Sequence, residues 1–458
     1  MRMELRGKKI LVVGLGRSGL AAARFCAEAG AQVVVCDAAP AAQCAAAQAA
    51  LAAYLITFHF DGEPLACFTA TDLVVASPGV PLTNPGMVAA RTAGIPIVSE
   101  MELAVRCCAT PIIAVSGTNG KSTTVTLIGE MLRAAGIPAV VGGNLGTPLL
   151  AQLHEAAAAR FWVIEVSSYQ LETTPSLRPR IAVMLNITPD HLDRYANFAA
   201  YAAAKALLWQ SLSADADAVF NADDAQVVAQ LGACPARRIP FTRHAPRRAQ
   251  VGAWCADGVM QLCRPDARTE RVDLRTARLT GAHNQENMMA AACAALCAGA
   301  SVEAIAQVCH SFPGLPHRCQ LVHEWHGVRF FDDSKGTNVG SVVKSLAGFS
   351  APVLLLAGGL DKGAGYAELR EPVRHGVKTL VLFGAARDLM QRELRDCTET
   401  VVVDGMAEAV QTAVARAVPG DVVLLSPACA SFDQYRNYAE RGDDFARWAR
   451  HWTSEENR

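Results

Sequence analysis

The sequence predicts an α/β protein of three domains, in which the first and third are Rossmann-like and the central one is of the P-loop type. Short apolar runs alternate with helix-like segments along the chain, which is typical of parallel sheets with right-handed crossovers. The length of 458 residues suits roughly three domains, and the turn-rich segment Phe312-Pro-Gly-Leu-Pro316 punctuates the chain. We therefore expect domains at residues 1–108, 109–314 and 315–458, with a linker at 312–316.

The first domain is predicted from strands over 9–14, 32–37 and 72–77 and a helix over 18–29. Its glycine turn, Gly14-Leu-Gly-Arg-Ser-Gly19, fits the dinucleotide fingerprint, and Asp37 ends the next strand as a ribose ligand would. Read alone, this pattern indicates NAD. The physical requirement is broader, because such a turn lets any diphosphate or similar polar group approach the helix N-terminus. A tight turn that needs glycine for steric reasons is a third interpretation.

The second domain opens with a phosphate-binding pattern. An apolar run over 111–115 predicts a buried strand, Ser116-Gly-Thr-Asn-Gly-Lys-Ser-Thr-Thr124 follows it, and residues 125–133 predict a helix. Backbone N–H groups of such a turn hold phosphate oxygens, Lys121 reaches the terminal phosphates and the Ser122 hydroxyl can ligate Mg²⁺. Val115 stands where the usual P-loop pattern has its first glycine. The strand and helix on either side favour nucleotide phosphate binding over an ordinary loop.

Further polar residues follow the next strands, predicted over 161–165, 181–186 and 218–221. Glu165 ends the first of these, where a carboxylate beside a phosphate loop suits Mg²⁺, although a single glutamate there is usually a solvated charge. Asp190, His191 and Asp193 crowd a turn after the second strand, which indicates cation or phosphate ligation.

Lys205 lies in an otherwise apolar helix. Burial would lower its pKa and leave a neutral amine, which can take up CO₂ to form a carbamate, an anionic oxygen ligand for Mg²⁺. On the residues alone, a lysine whose ammonium group reaches solvent is the favoured alternative.

The end of the second domain is predicted to hold a hairpin turning at Asp257-Gly258, with strands over 250–255 and 259–263, and two helices near 284–298 and 301–311. Asn284 and Asn287 lie three residues apart and therefore on one helical face. They could cap the helix or contact a nucleotide.

The third domain repeats the alternation, with strands near 328–332, 353–357, 379–383 and 422–426. Arg318 follows the linker, where it can swing onto phosphates held by the second domain. Asp333 could bind a ribose and Lys335 a developing negative charge. Lys362 and Ser431 follow two further strands and would suit a second substrate that carries a carboxylate. Each could be only a loop residue; their repeated placement after strands is what favours a site.

Composition excludes several classes of protein. The chain is 51% hydrophobic and 19% charged with a formal net charge of −1, so nucleic acid is not expected as a partner. Its 15 cysteines form no Cys-x-x-Cys pair, which argues against a zinc ribbon or disulfide framework and for a reducing cytoplasm. Arg17 interrupts the first apolar run, so we expect neither a signal peptide nor a membrane span.

Taken together, the motifs resemble the Mur ligases of bacterial wall synthesis from residue 14 to residue 442. The N-terminal glycine turn and the stretch 426–442 resemble the members that add D-glutamate. The matching motifs are Gly117-Thr-Asn-Gly-Lys-Ser-Thr123, Glu165-Val-Ser-Ser-Tyr-Gln-Leu-Glu172, Asp190-His-Leu-Asp-Arg-Tyr195, His283-Asn-Gln-Glu-Asn287, Asp332-Asp-Ser-Lys335 and Ser426-Pro-Ala-Cys-Ala-Ser431.

The resemblance implies an ATP-dependent ligase that adds D-glutamate to UDP-N-acetylmuramoyl-L-alanine through an acyl phosphate. Implied with it are Mg²⁺, as two ions, a carbamate on Lys205, and a cytoplasmic monomer. Catalytic roles fall to Lys121, His191 and Lys205, and the metal ligands are Ser122, Glu165, His191 and the Lys205 carbamate.

The resemblance also implies contacts for each of the three small molecules. Those for ATP are Gly117, Thr118, Asn119, Gly120, Lys121, Ser122, Thr123, Asn284, Arg318 and Asp333. Those for the UDP-linked substrate, in place of NAD, are Ser18, Gly19, Asp37, Ser77, Gly79 and Asn144. Those for D-glutamate are Lys335, Thr337, Lys362, Ser431, Phe432 and Tyr438.

Three other functions are compatible with parts of the sequence. A nicotinamide dehydrogenase would use the Gly14 turn and Asp37 but leave the Lys121 loop unexplained. A sister Mur or folylpolyglutamate-type ligase would share the loop and take another amino acid. A non-catalytic nucleotide-binding partner would bind ATP without releasing phosphate. The second of these ranks highest among the alternatives.

Overall fold

A computed structural model describes residues 4–81, 83–143, 146–192, 194–245, 251–263, 268–279, 281–363 and 365–454. Within these ranges the strands form three sheets of five, nine and six strands, which follow one another along the chain. No helix in the described part of the chain is long and apolar enough to cross a membrane.

The first sheet is parallel throughout, with strand order β3-β2-β1-β4-β5. The order reverses between β1 and β4, and ligands of open α/β sheets bind in the crevice at such a point. Its elements are β1 (Lys9–Val13), α1 (Arg17–Glu28), β2 (Gln32–Cys36), α2 (Ala41–Ala49), β3 (Ile56–His59), α3 (Leu65–Thr69), β4 (Leu73–Ala76), α4 (Pro85–Thr92), β5 (Ile97–Ser99) and α5 (Glu100–Cys107).

The second sheet has the order β14-β13-β12-β11-β10-β9-β6-β8-β7 and is parallel except for the hairpin strands β12 to β14. Its strands are β6 (Ile112–Ser116), β7 (Ala139–Gly143), β8 (Phe161–Glu165), β9 (Ile181–Met184), β10 (Asp217–Asn221), β11 (Arg237–Thr242), β12 (Gly252–Ala256), β13 (Val259–Cys263) and β14 (Thr269–Asp273). Its helices are α6 (Lys121–Ala134), α7 (Leu153–Ala158), α8 (Ser168–Glu172), α9 (Phe198–Gln210), α10 (Ala225–Leu231), α11 (Ala282–Cys297) and α12 (Val302–Ser311).

The third sheet has the order β15-β16-β20-β17-β18-β19, and only β15 runs antiparallel to its neighbour. Its strands are β15 (Gln320–Trp325), β16 (Val328–Asp332), β17 (Val353–Gly358), β18 (Val377–Phe383), β19 (Glu399–Val402) and β20 (Val422–Leu425). Its helices are α13 (Val339–Leu346), α14 (Arg370–Gly376), α15 (Arg387–Leu394), α16 (Met406–Arg416) and α17 (Tyr438–Trp452).

The three-sheet α/β architecture is confirmed, and every strand predicted from the sequence is present within a few residues. The Asp257-Gly258 hairpin is also confirmed, with both turn residues at positive φ, 51° and 74°. The prediction missed β3, β5, β7, β11, β14, β15 and β19. The domain boundaries at 108/109 and 314/315 stay predictions.

Among the described residues, one apolar core joins the first two sheets, and the third sheet has separate cores. One continuous core contains Ile10 and Val12 of the first sheet together with Trp162 and Ile164 of the second. The buried residues on both faces of the third sheet form cores of their own. The third sheet therefore meets the second through the polar contacts described below.

Hydrogen bonds also fix the first sheet to the second at the start of α5. Ser99 Oγ donates to Thr173 O at 3.0 Å, and the Glu100 carboxylate accepts from Leu150 N at 2.5 Å. Burial raises the pKa of Glu100 to about 7, although hydrogen bonds from the backbone N–H groups of Leu150 and Leu149 act to lower it.

Candidate active site

The loop between β6 and α6 has a backbone that requires glycine. Gly117 and Gly120 have φ values of 150° and 88°. A Cβ atom on Gly120 would lie 2.3 Å from the Asn287 side-chain oxygen. The helix begins at Lys121, so its N-terminal N–H groups face the loop, as a phosphate cradle needs.

The end of β9 anchors this loop. Thr118 N donates to Asn186 O at 2.9 Å, and Asn119 N donates to the Asn186 side-chain oxygen at 2.8 Å. The Asn186 amide in turn donates to Asn119 O at 3.0 Å. Tyr201 OH lies 3.0 Å from Thr118 Oγ1. These protein groups thus hold the loop in shape.

Two lysines on different helices donate to one loop carbonyl. Lys121 Nζ is 2.8 Å from Gly117 O and 2.8 Å from Thr118 O, and Lys205 Nζ is 2.8 Å from Gly117 O. Burial, and then the positive charge of Lys121, holds the pKa of Lys205 well below its usual value. Burial also lowers the pKa of Lys121, although Glu165 and Asp190 oppose this. At Lys205, the alternative of a solvent-reaching ammonium group is wrong, because the residue is only 2% exposed.

The predicted anionic residues lie beside these lysines. Glu165 is buried at the end of β8, in register with Val115 of β6. Asp190 is also buried; burial acts to raise its pKa, but Lys362, His191 and Lys121 together lower it.

His191 has a positive φ of 56°, and its Nε2 lies 3.7 Å from the Asp190 carboxylate. Its ring centroid is 5.0 Å from that of Tyr169. Asp193 lies outside the described residues.

A cleft lies between this loop and the third sheet. Asn119 and Asn284 line it from one side, and Arg318 and Asp333 from the other. Arg318 Nη2 crosses the cleft and donates to Ser122 Oγ at 2.7 Å. The predicted approach of Arg318 to the phosphate loop is therefore present in the structure.

Asp333 is held by two hydroxyl groups, since Ser345 Oγ and Ser426 Oγ each donate to its carboxylate at 2.7 Å. Burial raises its pKa to about 6, against the effect of these hydrogen bonds and of Arg318.

Further contacts join the second and third sheets near Asp190. Asn338 Nδ2 donates to Asp190 Oδ2 at 3.0 Å, and Lys362 Nζ lies 3.6 Å from Asp190 Oδ1. Lys362 also donates to Thr337 Oγ1 at 3.4 Å. Thr337 and Lys362, two of the residues that the family resemblance implies for D-glutamate, therefore contact each other, and Lys362 faces Asp190 of the second domain.

The other four residues implied for the amino acid are arranged less closely. Lys335 Nζ stacks on the Tyr438 ring, 3.8 Å from its centroid. Burial, followed by the charge of Arg318, lowers the pKa of Lys335 to about 8. Ser431 is buried, and Phe432 is 70% exposed. No hydrogen bond between described residues links Ser431 or Phe432 to Lys362.

In the first sheet, the glycine turn and Ser77 meet where the strand order reverses. Ser77 Oγ donates to Gly14 O at 2.8 Å. A Cβ atom on Gly19 would lie 1.8 Å from Gly14 O, so only glycine fits there. Ser18 lies beside it in the first turn of α1, and Gly79 lies in the loop after β4.

Asp37 is already bound by backbone N–H groups: its carboxylate accepts from Leu15 N at 2.5 Å and from Ala39 N at 2.8 Å. A ribose at Asp37 would thus share the carboxylate with these donors. The predicted contact Asn144 lies outside the described residues.

Sequence reasoning missed several residues that shape the site. Asn186 and Tyr201 fix the loop, and Asn338 and Ser341 reach it from the third domain. Asn186 ends the strand predicted over 181–186, and Asn338 lies three residues after Lys335, so the sequence placed both residues near the site but did not predict their hydrogen-bond partners. Nothing in the sequence distinguishes Tyr201 from a core tyrosine.

The donors near the loop fit Mg²⁺ only in part. Oxygen ligands suit this ion, and Glu165 and the Ser122 hydroxyl supply them. Among the described residues, no group of three His, Cys, Asp or Glu side chains forms a metal cluster. A carbamate on Lys205 would add an anionic oxygen beside Gly117, where the structure has an amine.

Comparison with known proteins gives the same assignment for all three parts of the chain. The Mur ligase MurD-like N-terminal domain matches residues 8–99, the Mur ligase middle domain matches 115–295, and the Mur ligase glutamate ligase domain matches 317–429.

Two curated relatives carry the name UDP-N-acetylmuramoylalanine–D-glutamate ligase. The protein from Geobacter metallireducens is 44% identical over 443 residues, which cover 97% of each chain. The one from Syntrophotalea carbinolica is 44% identical over 447 residues, covering 97% of this chain and 98% of the relative.

Solved structures share the fold at low identity. UDP-N-acetylmuramate-alanine ligase MurC from Thermotoga maritima has a TM-score of 0.60 at 16% identity and covers 96% of this chain and 98% of its own. MurF ligase from the same organism, solved in complex with ADP, has a TM-score of 0.60 at 15% identity and covers 98% and 95%. Because curated relatives well above 30% identity match nearly the whole chain, this protein belongs to the Mur ligase family.

Proposed function

We propose that this protein is an ATP-dependent ligase that forms the amide bond between D-glutamate and the alanine carboxyl group of UDP-N-acetylmuramoyl-L-alanine, a step of peptidoglycan precursor synthesis. Relatives with that name match the chain from end to end. The structural observation that carries the proposal is the phosphate loop, whose Gly117 carbonyl accepts from half-buried Lys121 and from buried Lys205. Arg318 reaches the start of the following helix from the third domain.

The first step transfers the γ-phosphoryl group of ATP to the alanine carboxylate, which gives an acyl phosphate and ADP. Such transfers need positioning and charge stabilisation more than covalent help from the protein. Lys121 contacts the loop and Arg318 contacts Ser122 at the start of α6, and both can turn from their present oxygen partners to phosphate oxygens. Gly117 to Thr123 surround the phosphates, while Asn284 and Asp333 face the nucleoside part of ATP from the two sides of the cleft.

The second step is attack of the D-glutamate amine on the acyl phosphate. A tetrahedral intermediate forms at the carbonyl carbon and expels phosphate, which leaves the amide. Lys362 and Thr337 contact each other on the third-domain side, with Lys362 opposite Asp190, and a cation and a hydroxyl group suit a carboxylate there. We assign Lys335, Ser431, Phe432 and Tyr438 to the same substrate.

Mg²⁺, as two ions, would neutralise phosphate charge when bound, held by Ser122, Glu165, His191 and a carbamate on Lys205. The low pKa of Lys205 supports the carbamate, because only the neutral amine adds to CO₂ and releases a proton. The new anion would also pair with Lys121, and two amines would no longer compete for Gly117 O.

The UDP part of the substrate is assigned to the crevice of the first sheet. Ser18, Gly19, Asp37, Ser77, Gly79 and Asn144 are its proposed contacts. The family match over residues 8–99 favours UDP over the NAD of a dehydrogenase. We retain the domain boundaries at 108/109 and 314/315, a hinge at 312–316 and a cytoplasmic monomer as parts of the proposal.

The test is phosphate release from ATP with UDP-N-acetylmuramoyl-L-alanine and a panel of amino acids that includes D-glutamate, L-glutamate and meso-diaminopimelate. Release that depends on D-glutamate is the expected result. Preference for another amino acid would instead identify a sister ligase. Binding of ATP without release under any condition would identify a non-catalytic nucleotide-binding protein.

A further inference from the structure

Asn338 has one side-chain role within its own domain. It is the N-cap of α13, and its carbonyl oxygen accepts from Ser341 N and from Ser341 Oγ, both at 2.9 Å. Capping of this kind satisfies N–H groups that the helix leaves open. Capping alone would be served equally well by serine or aspartate.

The amide nitrogen of Asn338 has a second role, across the cleft. It donates to Asn119 Oδ1 at 3.2 Å and to Asp190 Oδ2 at 3.0 Å. Asn119 Nδ2 donates back to Asn338 Oδ1 at 3.4 Å, and Ser341 Oγ donates to Asn119 Oδ1 at 2.7 Å. One side chain of the third domain thus contacts both the phosphate loop and the acidic turn after β9.

The connection continues to the residues proposed for the amino acid. Thr337 directly precedes Asn338 and accepts from Lys362, which is itself paired with Asp190. The two oxygens of Asp190 are therefore divided, with Oδ1 facing Lys362 and Oδ2 bound by Asn338. Moving Asn338 would shift both the side chain next to it and the partner of Lys362.

On the other side, Asn119 has its backbone and its side chain bound to different domains. Its N–H and carbonyl groups are bound to Asn186 of the second domain, and its side chain to Asn338 and Ser341 of the third. Asn119 thus connects the phosphate loop to the start of α13.

We propose that Asn338 is a positioning residue that sets the amino-acid site against the phosphate loop, so that the amine meets the acyl phosphate at the right place. This inference rests on the proposed function and adds a role that the phosphate and amino-acid contacts do not include. The amide acts through its partners Asn119 and Asp190 and through the adjacent Thr337.

The decisive variant is Asn338→Ser, which keeps a good N-cap and removes the amide that crosses the cleft. Its matched control is Asn197→Ser, at the N-cap of α9, where the asparagine oxygen accepts from Ala200 N. Because a hydrogen bond to a charged acceptor is lost, we expect the KM for D-glutamate to rise about tenfold in Asn338→Ser. The KM for the UDP-linked substrate should stay within about twofold and the thermal unfolding midpoint close to wild type.

A second variant, Asn338→Asp, also distinguishes the role of the amide donor from the role of the helix cap. It also caps α13, but it places a carboxylate against Asp190 and cannot donate. We expect it to raise the KM for D-glutamate more than Asn338→Ser does.

Wild-type kinetics in Asn338→Ser would overturn the inference, as would an equal rise of every KM together with a large drop in the unfolding midpoint, which indicates a purely structural role. A folded wild-type protein without D-glutamate-dependent phosphate release would instead refute the proposed function, and the inference with it.

Discussion

Lys121 and Lys205 donate to the same oxygen atom, that of Gly117, from two different helices. Two ammonium groups that share one carbonyl oxygen repel each other in a largely buried site, which favours loss of a proton from the amine with the lower proton affinity. Lys205 is the more strongly perturbed of the two. The carbamate proposal and the phosphate role of Lys121 both follow from this arrangement.

Lys121→Ala should lose turnover, by at least about a thousandfold, because the transferred phosphoryl group loses the lysine that the loop pattern places beside it. The measurement is steady-state phosphate release at saturating substrates. Arg133→Ala is the control, since Arg133 lies at the exposed end of the same helix and pairs with Glu130. Near-normal turnover in Lys121→Ala would contradict the phosphate role.

Lys205→Ala should be inactive alone and regain part of its activity with a short carboxylic acid such as formate or acetate. The acid would occupy the cavity left by the side chain and supply the anionic oxygens of the carbamate. Lys121→Ala, treated identically, should not respond. Full activity of Lys205→Ala without any added acid would exclude a carbamate role.

Asp333 predicts a pH dependence of stability. Its pKa is about 6 in the folded protein and roughly 3.9 in an unfolded chain, so the folded state binds the proton more tightly. The stabilisation of the folded state by this proton is fully present below pH 4 and is lost as the pH rises through 6. Between pH 4 and pH 7, the free energy of unfolding of the wild type should fall by up to about 3 kcal/mol relative to that of Asp333→Asn.

Urea unfolding of the wild type and of Asp333→Asn across that range measures the difference. Asp257→Asn, in the exposed hairpin turn, controls for removal of a carboxylate as such. Parallel pH profiles for the wild type and Asp333→Asn would contradict the assignment.

At the scale of single residues, the sequence predicted which residues lie at the site better than it predicted their hydrogen-bond partners. The Gly-Lys-Ser pattern placed Lys121 and Ser122 at the start of the helix after the loop, because local sequence determines that strand–loop–helix geometry. The bond from Asn338 to Asn119 joins residues 219 positions apart, and no local pattern predicts which distant side chain will meet which.

At the scale of elements, the turn between β1 and α1 depends on one close approach. Gly19→Ala would force a Cβ to within 1.8 Å of Gly14 O, so the turn must open or α1 must shift. We expect the KM for the UDP-linked substrate to rise at least about tenfold, with a lower unfolding midpoint.

Gly16→Ala is the control for that change, because nothing lies within 4 Å of its added Cβ and its φ is −69°. It should have a near-wild-type unfolding midpoint and KM. Wild-type behaviour of Gly19→Ala would show that the turn tolerates a side chain and would contradict this account of the crevice.

The missed strands have a common physical cause. Six of the seven lie at the edges of their sheets: β3, β5, β7, β14, β15 and β19. An edge strand is less completely buried, so its sequence is less uniformly apolar; β19, for example, has no buried residue. Central strands such as β17 are buried throughout and were predicted. Only β11 was missed inside a sheet.

At the scale of the whole molecule, the interface between the first and second domains is apolar, and the contacts of the third domain with the second are polar. The first and second domains share an apolar core, which favours a fixed relation between the UDP crevice and the phosphate loop. The third domain meets the loop through hydrogen bonds and ion pairs such as Arg318–Ser122 and Lys362–Asp190. Polar contacts of this kind separate more readily, so the third domain is the part expected to move when substrates enter and leave.

The central claim is that this cleft passes a phosphoryl group from ATP to a carboxylate before the amine attacks. Transfer of ¹⁸O from UDP-N-acetylmuramoyl-L-alanine labelled in the alanine carboxyl group tests it most directly, with released phosphate analysed by mass spectrometry. The account predicts one ¹⁸O atom in each phosphate, since the carboxylate oxygen that attacks phosphorus leaves with it. Amide formation with unlabelled phosphate would contradict the acyl phosphate and the role assigned to the loop.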